Sequence, residues 1–163
     1  MKKYIMDEAS VTQKLKRLAL EVLEDNLNNE EIIFIGIAPQ GPLIAKALMH
    51  HIKKINAIKM ELVTLQMDKD HPKEMILDQQ IDFNNKTIVL VDDVTNTGRV
   101  LLYALKPLLE FQPKEIFNLV LVERTHKKYP IAASYKGLSI ATTLQEHIKV
   151  ETNGDKITGA YLI

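Results

Sequence analysis

The stretch Thr87-Ile-Val-Leu-Val-Asp-Asp-Val-Thr-Asn-Thr-Gly-Arg99 constrains the fold more than any other part of the chain. A β-branched apolar run ends in two adjacent carboxylates, and a hydroxyl-rich turn closed by Gly98 follows at once. Val100, Leu101, Leu102, Ala104, Leu105, Leu108 and Leu109 then give a helix with a broad apolar face. The order is buried strand, polar turn, helix, with the turn at the carboxyl end of the strand. In open α/β sheets that crevice is where ligands sit. Backbone N–H groups of such a turn suit a phosphate. Asp92 and Asp93 beside it suit sugar hydroxyls or, through water, Mg²⁺. One Asp would serve as a helix cap. The second Asp and the Thr95-Asn96-Thr97-Gly98 turn need another reason.

The rest of the chain repeats the alternation. Val11, Leu15, Leu18, Ala19 and Val22 recur at helical spacing, with Ser10 and Gln13 as a capping box and Asn26 and Asn28 at the exit. Ile32-Ile-Phe-Ile-Gly-Ile37 is a second buried strand. Ala38-Pro-Gln-Gly41 turns the chain, and Pro42 starts a helix running to about Ile52. A strand near Ile58 to Leu65 leads to a polar, structure-poor connection from Gln66 to Lys86, the pattern of a lid or a disordered excursion. Glu115 to Glu123 is a further buried strand. Asn153-Gly154, between Ile148-x-Val150 and Ile157-x-Gly159-x-Tyr161, signals a hairpin. The expected fold is α/β, a central, mainly parallel sheet flanked by helices with a small β hood, in one domain over residues 1–163.

Composition narrows the function classes. Lys+Arg 21 balances Asp+Glu 21, so no global charge pulls the chain toward nucleic acid or an anionic membrane. Cys 0 excludes disulfides, thiolate catalysis and Cys-zinc sites. Acidic Asp7 and Glu8 come too early for a secretory segment, and no apolar run is long enough to span a bilayer. A cytoplasmic protein is expected. His50 and His51 lie about 100° apart on a helix and cannot share a metal as neighbours.

Val89-Leu-Val-Asp-Asp-Val-Thr-Asn-Thr-Gly-Arg99 resembles the 5-phosphoribosyl-1-pyrophosphate (PRPP) motif of type I phosphoribosyltransferases. Gly36-Ile-Ala-Pro-Gln-Gly41 resembles their pyrophosphate loop, where family members place a cis peptide. Ile5-Met-Asp-Glu8 and Glu123-Arg-Thr-His-Lys-Lys-Tyr-Pro-Ile131, followed by Ala133-Ser-Tyr-Lys-Gly137, are similar to the bacterial pyrimidine-operon attenuator and uracil phosphoribosyltransferase family. The resemblance implies transfer of a phosphoribosyl group from PRPP to a pyrimidine base, uracil, with release of pyrophosphate. It assigns Asp92 and Asp93 to the ribose as catalytic residues. It assigns Val94, Thr95, Asn96, Thr97, Gly98, Arg99 and Val100 to the 5′-phosphate, and Ala38, Pro39, Gln40 and Gly41 to the pyrophosphate. Arg124, Thr125, His126 and Lys127 fall to the hood over the base. Mg²⁺ is implied as cofactor, carried mainly by the substrate rather than bound directly by the chain. The expected partners are PRPP and a nucleobase or nucleoside monophosphate, without membrane, in a homo-oligomer. Arg99 faces either phosphate or a neighbouring subunit, and the sequence leaves both open.

Three departures from the family pattern bear on catalysis. Pro39 and Gln40 stand where the loop carries Thr-Arg, which removes a charge-assisted contact to a polyanionic leaving group. Val100 replaces a threonine after Arg99. The lid opening Leu65-Gln-Met-Asp68 lacks its arginine; Lys69 and Lys73 are the available substitutes, but an ammonium is not a planar guanidinium. These departures raise an alternative, a non-catalytic regulator that binds PRPP or a nucleotide. Relatives bind attenuator RNA, yet Leu20 stands where they carry a His, so no RNA partner is expected despite Lys14, Lys16 and Arg17. A receiver domain would want its acidic pair near the first strand, and a P-loop would need Gly-Lys-Ser/Thr.

Overall fold

The computed structural model describes residues 1–143 and 145–163. The chain opens with a short strand, β1 (Lys3–Met6), which the sequence did not announce. Helix α1 (Glu8–Asp25) follows and buries Val11, Leu15, Leu18, Ala19, Val22 and Leu23. Each fully buried Leu of this set contributes roughly 1.5–3 kcal/mol. Its cap is Asp7, whose carboxylate accepts from Ser10 N at 2.9 Å, and not the expected Ser10–Gln13 box. The helix closes at Asn26, whose side-chain amide donates to Val22 O at 2.7 Å.

Strand β2 (Glu31–Ile37) and helix α2 (Gly41–Lys53) match the expected strand and Pro-initiated helix. β3 (Lys59–Met67) is followed by β4 (Met75–Leu77), a three-residue strand that returns antiparallel to β3. The connection expected to be structure-poor therefore folds back on the sheet, and its Phe83 is fully buried in an edge-to-face pair with Phe111. β5 (Thr87–Thr95) carries the motif. Helix α3 spans only Arg99–Ala104, and Lys106–Leu108 tightens to a 3₁₀ turn. Pro107 lacks the N–H that a continuing α-helix needs, which is why the apolar run does not remain one helix to Leu109.

β6 (Glu115–Arg124) and β7 (Tyr135–Ile140) complete a six-stranded sheet of order β4-β3-β2-β5-β6-β7, parallel except for β4. β2 and β5 lie side by side at its centre, covered on both faces, which accounts for their unbroken apolar runs. One face packs against α1 and α2, the other against α3 and Phe83. The expected hairpin is β8 (Ile148–Asn153) and β9 (Lys156–Leu162), turning at Gly154 with φ +60°. β1 joins it to make a separate antiparallel sheet of order β1-β9-β8. Within the described residues no helix is long and apolar enough to cross a membrane.

Candidate functional site

Two βα turns meet because their strands are neighbours. β2 ends in the Ala38–Gly41 turn and β5 in the Thr95–Gly98 turn, both at the carboxyl edge of the sheet. The Ala38–Pro39 bond is cis, and Ala38 N donates to Leu65 O at 2.9 Å. Gly98 has φ +89°, and a Cβ there would also lie 2.8 Å from Ile131 Cγ2, so conformation and space both require glycine. The Thr97 hydroxyl accepts from Arg99 N at 3.3 Å. Thr97 O accepts from Lys128 N and Tyr129 N at 3.0 and 3.1 Å, which ties the β6–β7 connection to the turn. Among the described residues, the N–H groups of Thr97 and Gly98 have no backbone acceptor and face no competing ladder. Such a turn offers donors to an anion.

Asp92, 1 % exposed, and half-buried Asp93 end the apolar run. Lys69, two residues beyond β3, places its ammonium 2.8 Å from Asp92 Oδ1 and 3.6 Å from Asp93 Oδ1. Its carbonyl accepts from Arg99 Nη2 at 3.2 Å. Burial, reinforced by the Asp93 carboxylate and opposed by Lys69, pushes the Asp92 carboxyl up to about 7. Burial acts against the Lys69 ammonium too, but Asp92 and Asp93 outweigh it and hold its pKa above the ordinary value.

A cavity of about 440 Å³ opens over this edge. Every residue from Asp92 to Val100 lines it, as do Pro39 and Gln40, so the two turns expected to hold phosphates share one space. Ala38 and Gly41 shape the loop without lining the cavity. Lys69, Asp70, Leu101 and Ile148 of β8 complete the wall. Lys69 was foreseen only as a substitute cation, and Asp70 and Ile148 not at all. A larger depression of about 830 Å³ between α2 and β3 is lined by Met49, Ile58, Met60 and Leu62 and holds no carboxylate. The smaller, polar cavity is the one equipped for chemistry.

The four residues assigned to the hood are distributed differently. Arg124 donates to Thr143 O at 2.8 Å, while Thr125 and His126 are exposed to solvent. Lys127 reaches the motif turn, with Nζ 3.4 Å from Asn96 O and 3.5 Å from Thr95 Oγ1. None of the four lines the cavity. Behind Lys127 sits Glu123, 5 % exposed, a group the sequence did not single out. Burial would raise its carboxyl, but Lys136 at 2.9 Å, the Ala133 N–H and Lys127 together hold it below the usual range.

Asp92 and Asp93 are hard oxygen donors that fit hydroxyls or a hydrated Mg²⁺. Among the described residues no cluster of three or more metal-ligating side chains forms here, so a Mg²⁺ at this place would draw further oxygens from the ligand that brings it.

A mostly parallel sheet with two polar turns at its carboxyl edge, one following paired carboxylates, is the architecture of a phosphoribosyltransferase. The chain belongs to that family: the phosphoribosyl transferase domain matches residues 3–152. Among curated relatives, the bifunctional protein PyrR of Caldicellulosiruptor bescii is 35% identical over 158 residues, covering 91% of this chain and 87% of that one. Its counterpart in Clostridioides difficile is 34% identical over 159 residues, covering 91% and 90%. Among solved structures, a hypoxanthine-guanine phosphoribosyltransferase of Bacillus anthracis superposes with TM-score 0.78 at 20% identity, covering 98% of both chains. A hypoxanthine phosphoribosyltransferase of Trypanosoma cruzi superposes with TM-score 0.80 at 14% identity, covering 96% and 94%. At such identities these two structures bear on the fold.

Proposed function

We propose that the protein transfers the phosphoribosyl group of PRPP to uracil, releasing pyrophosphate and forming the nucleoside monophosphate. The observation that carries this reading is the single cavity shared by Asp92, Asp93, the Thr95–Gly98 turn and the Pro39–Gln40 turn. The turn N–H groups hold the 5′-phosphate, and Arg99 closes its far side. Asp92 and Asp93 accept the ribose hydroxyls, and their negative charge favours the positive charge that grows on the ribose as the pyrophosphate leaves. Pro39 and Gln40 face the pyrophosphate. Mg²⁺, when bound, supplies charge neutralisation to the pyrophosphate and ribose oxygens. The β3–β4 connection, residues 68–74, serves as the lid that excludes water, since hydrolysis is the competing fate of PRPP.

The choice of uracil rests on the similarity of Glu123–Ile131 to the uracil-acting family, and on relatives that belong to the PyrR group. PRPP-dependent formation of each monophosphate from uracil, hypoxanthine, guanine and adenine tests it. Uracil is expected to be the preferred acceptor. Preference for a purine would overturn the base assignment, and no product with any base would overturn the transferase reading.

A further inference from the structure

Lys69 occupies the space in which the proposed function puts the ribose. Its side chain, 32 % exposed, lines the cavity, and its ammonium bridges Asp92 and Asp93. Asp92 Oδ1 already accepts from Lys69 Nζ at 2.8 Å and from Asp93 N at 2.9 Å, which uses both of its lone pairs. A sugar hydroxyl donating to that oxygen must replace one of these bonds, and the backbone bond is local to the turn while the ammonium is not. Arg99, on the phosphate side of the same cavity, grips the carbonyl of Lys69. The lid residue is thus held at its side chain by the carboxylate pair and at its backbone by the phosphate turn.

We infer that Lys69 is a resident counter-cation of the Asp92–Asp93 pair, mutually exclusive with the hydroxyls of a bound ribose phosphate. The inference rests on the proposed assignment of the pair to ribose. It makes the ligand-free protein self-occupied: the carboxylates never face each other unscreened, and the first lid residues stay docked until a sugar arrives. Sugar binding then releases the side chain of Lys69 from the carboxylates and frees the start of the lid to close over the bound sugar phosphate. A hydroxyl contact made at Asp92 Oδ1 is offset by the lost Lys69 ion pair, so the wild-type chain discriminates only weakly between sugars that differ in that hydroxyl.

Calorimetric titration with ribose 5-phosphate and 2-deoxyribose 5-phosphate reads this directly, because the ratio of the two affinities isolates the 2-hydroxyl and cancels the phosphate. Lys69→Met is expected to raise that ratio about fivefold or more, the equivalent of one net hydrogen bond no longer offset. Lys69→Arg, which keeps the cation, should stay within about twofold of wild type. Thermal melting confirms that each variant is folded. In the unmodified protein, saturating ribose 5-phosphate should also accelerate acetylation of Lys69 about threefold or more, as its amine leaves the carboxylates. An unchanged or smaller ratio in folded Lys69→Met, or an unaltered acetylation rate, overturns the inference while wild-type binding of ribose 5-phosphate leaves the proposed function standing. Failure of wild type and variant alike to bind either sugar phosphate overturns both.

Discussion

Gly41 lies so close to the carbonyl oxygen of Val91 that no β-carbon fits between them. Val91 is the residue immediately before Asp92, and Gly41 closes the Ala38–Gly41 turn. The spacing between the two ligand-facing turns is therefore set by a backbone contact that only glycine permits. Gly36, in β2 and five residues before Gly41, is pressed in the same way against the backbone of Pro42.

Gly41→Ala should consequently push α2 away from β5. The cost expected is about 2 kcal/mol or more, in the range of overpacking at a rigid backbone contact. Urea denaturation measures it. A variant as stable as wild type, with undiminished affinity for ribose 5-phosphate, would show that the two turns are not held in register by this contact.

The parts of this architecture that were legible beforehand are those with strong local patterns. β2 and β5 announced themselves by apolar runs that only central strands bury on both faces, and Asn153-Gly154 marked its hairpin. Ser10 and Asp7 both suit a cap by residue type, and the sequence pattern alone favours Ser10 with Gln13. Asp7 prevails because it follows β1 directly, in extended conformation with ψ 177°. β1 itself was hidden, since its four residues acquire their role only by pairing with β9. The same holds at the site. Asp92 to Gly98 is contiguous and carries its own signature, whereas Lys69 reaches Asp92 from 23 residues away in the chain with no periodicity to betray it.

The buried carboxyl of Asp92 predicts a pH dependence. Its pKa is raised to about 7 in the folded chain, so the folded state binds more protons than the unfolded one between about pH 4 and 7. Stability from this group is present at low pH and is lost as pH rises through 7. Asp92→Asn removes that loss. The stability of the variant relative to wild type should therefore increase from pH 5 to pH 8, by on the order of a few kcal/mol at most. Equilibrium unfolding at the two pH values measures the difference of differences. A relative stability that falls toward pH 8 would contradict the assignment of a raised pKa.

Tyr135 donates its hydroxyl to Asp25 Oδ2 at 2.6 Å, fastening the last turn of α1 to β7. Burial, with the Asp25 carboxylate, drives the phenol pKa upward, so the bond persists across the working pH range. Tyr135→Phe should cost about 1–2 kcal/mol. Hydrogen exchange at the carboxyl end of α1 should rise accordingly. Unchanged protection there would mean that the helix end is held by Asn26 alone.

Gln40 offers the sharpest test of how the chemistry depends on charge. It caps α2 without a side-chain hydrogen bond, is partly exposed, and lines the cavity beside Lys69 and Asp92. Its replacement therefore disturbs no existing bond. Under the proposed function it faces the pyrophosphate with a neutral amide, where a guanidinium would give bidentate, charge-assisted contacts that strengthen as the leaving group gains charge. Loss of one such stabilising contact costs about 10²–10³ in rate. Gln40→Arg should accordingly accelerate pyrophosphate release in the presence of PRPP, Mg²⁺ and uracil by about tenfold or more, with kcat carrying most of the gain. The added charge also meets Lys69 across the cavity. Combining Gln40→Arg with Lys69→Met should thus change the rate by more than the product of the two single effects. Rates that stay at the wild-type level in a folded Gln40→Arg variant would place the leaving group away from this turn.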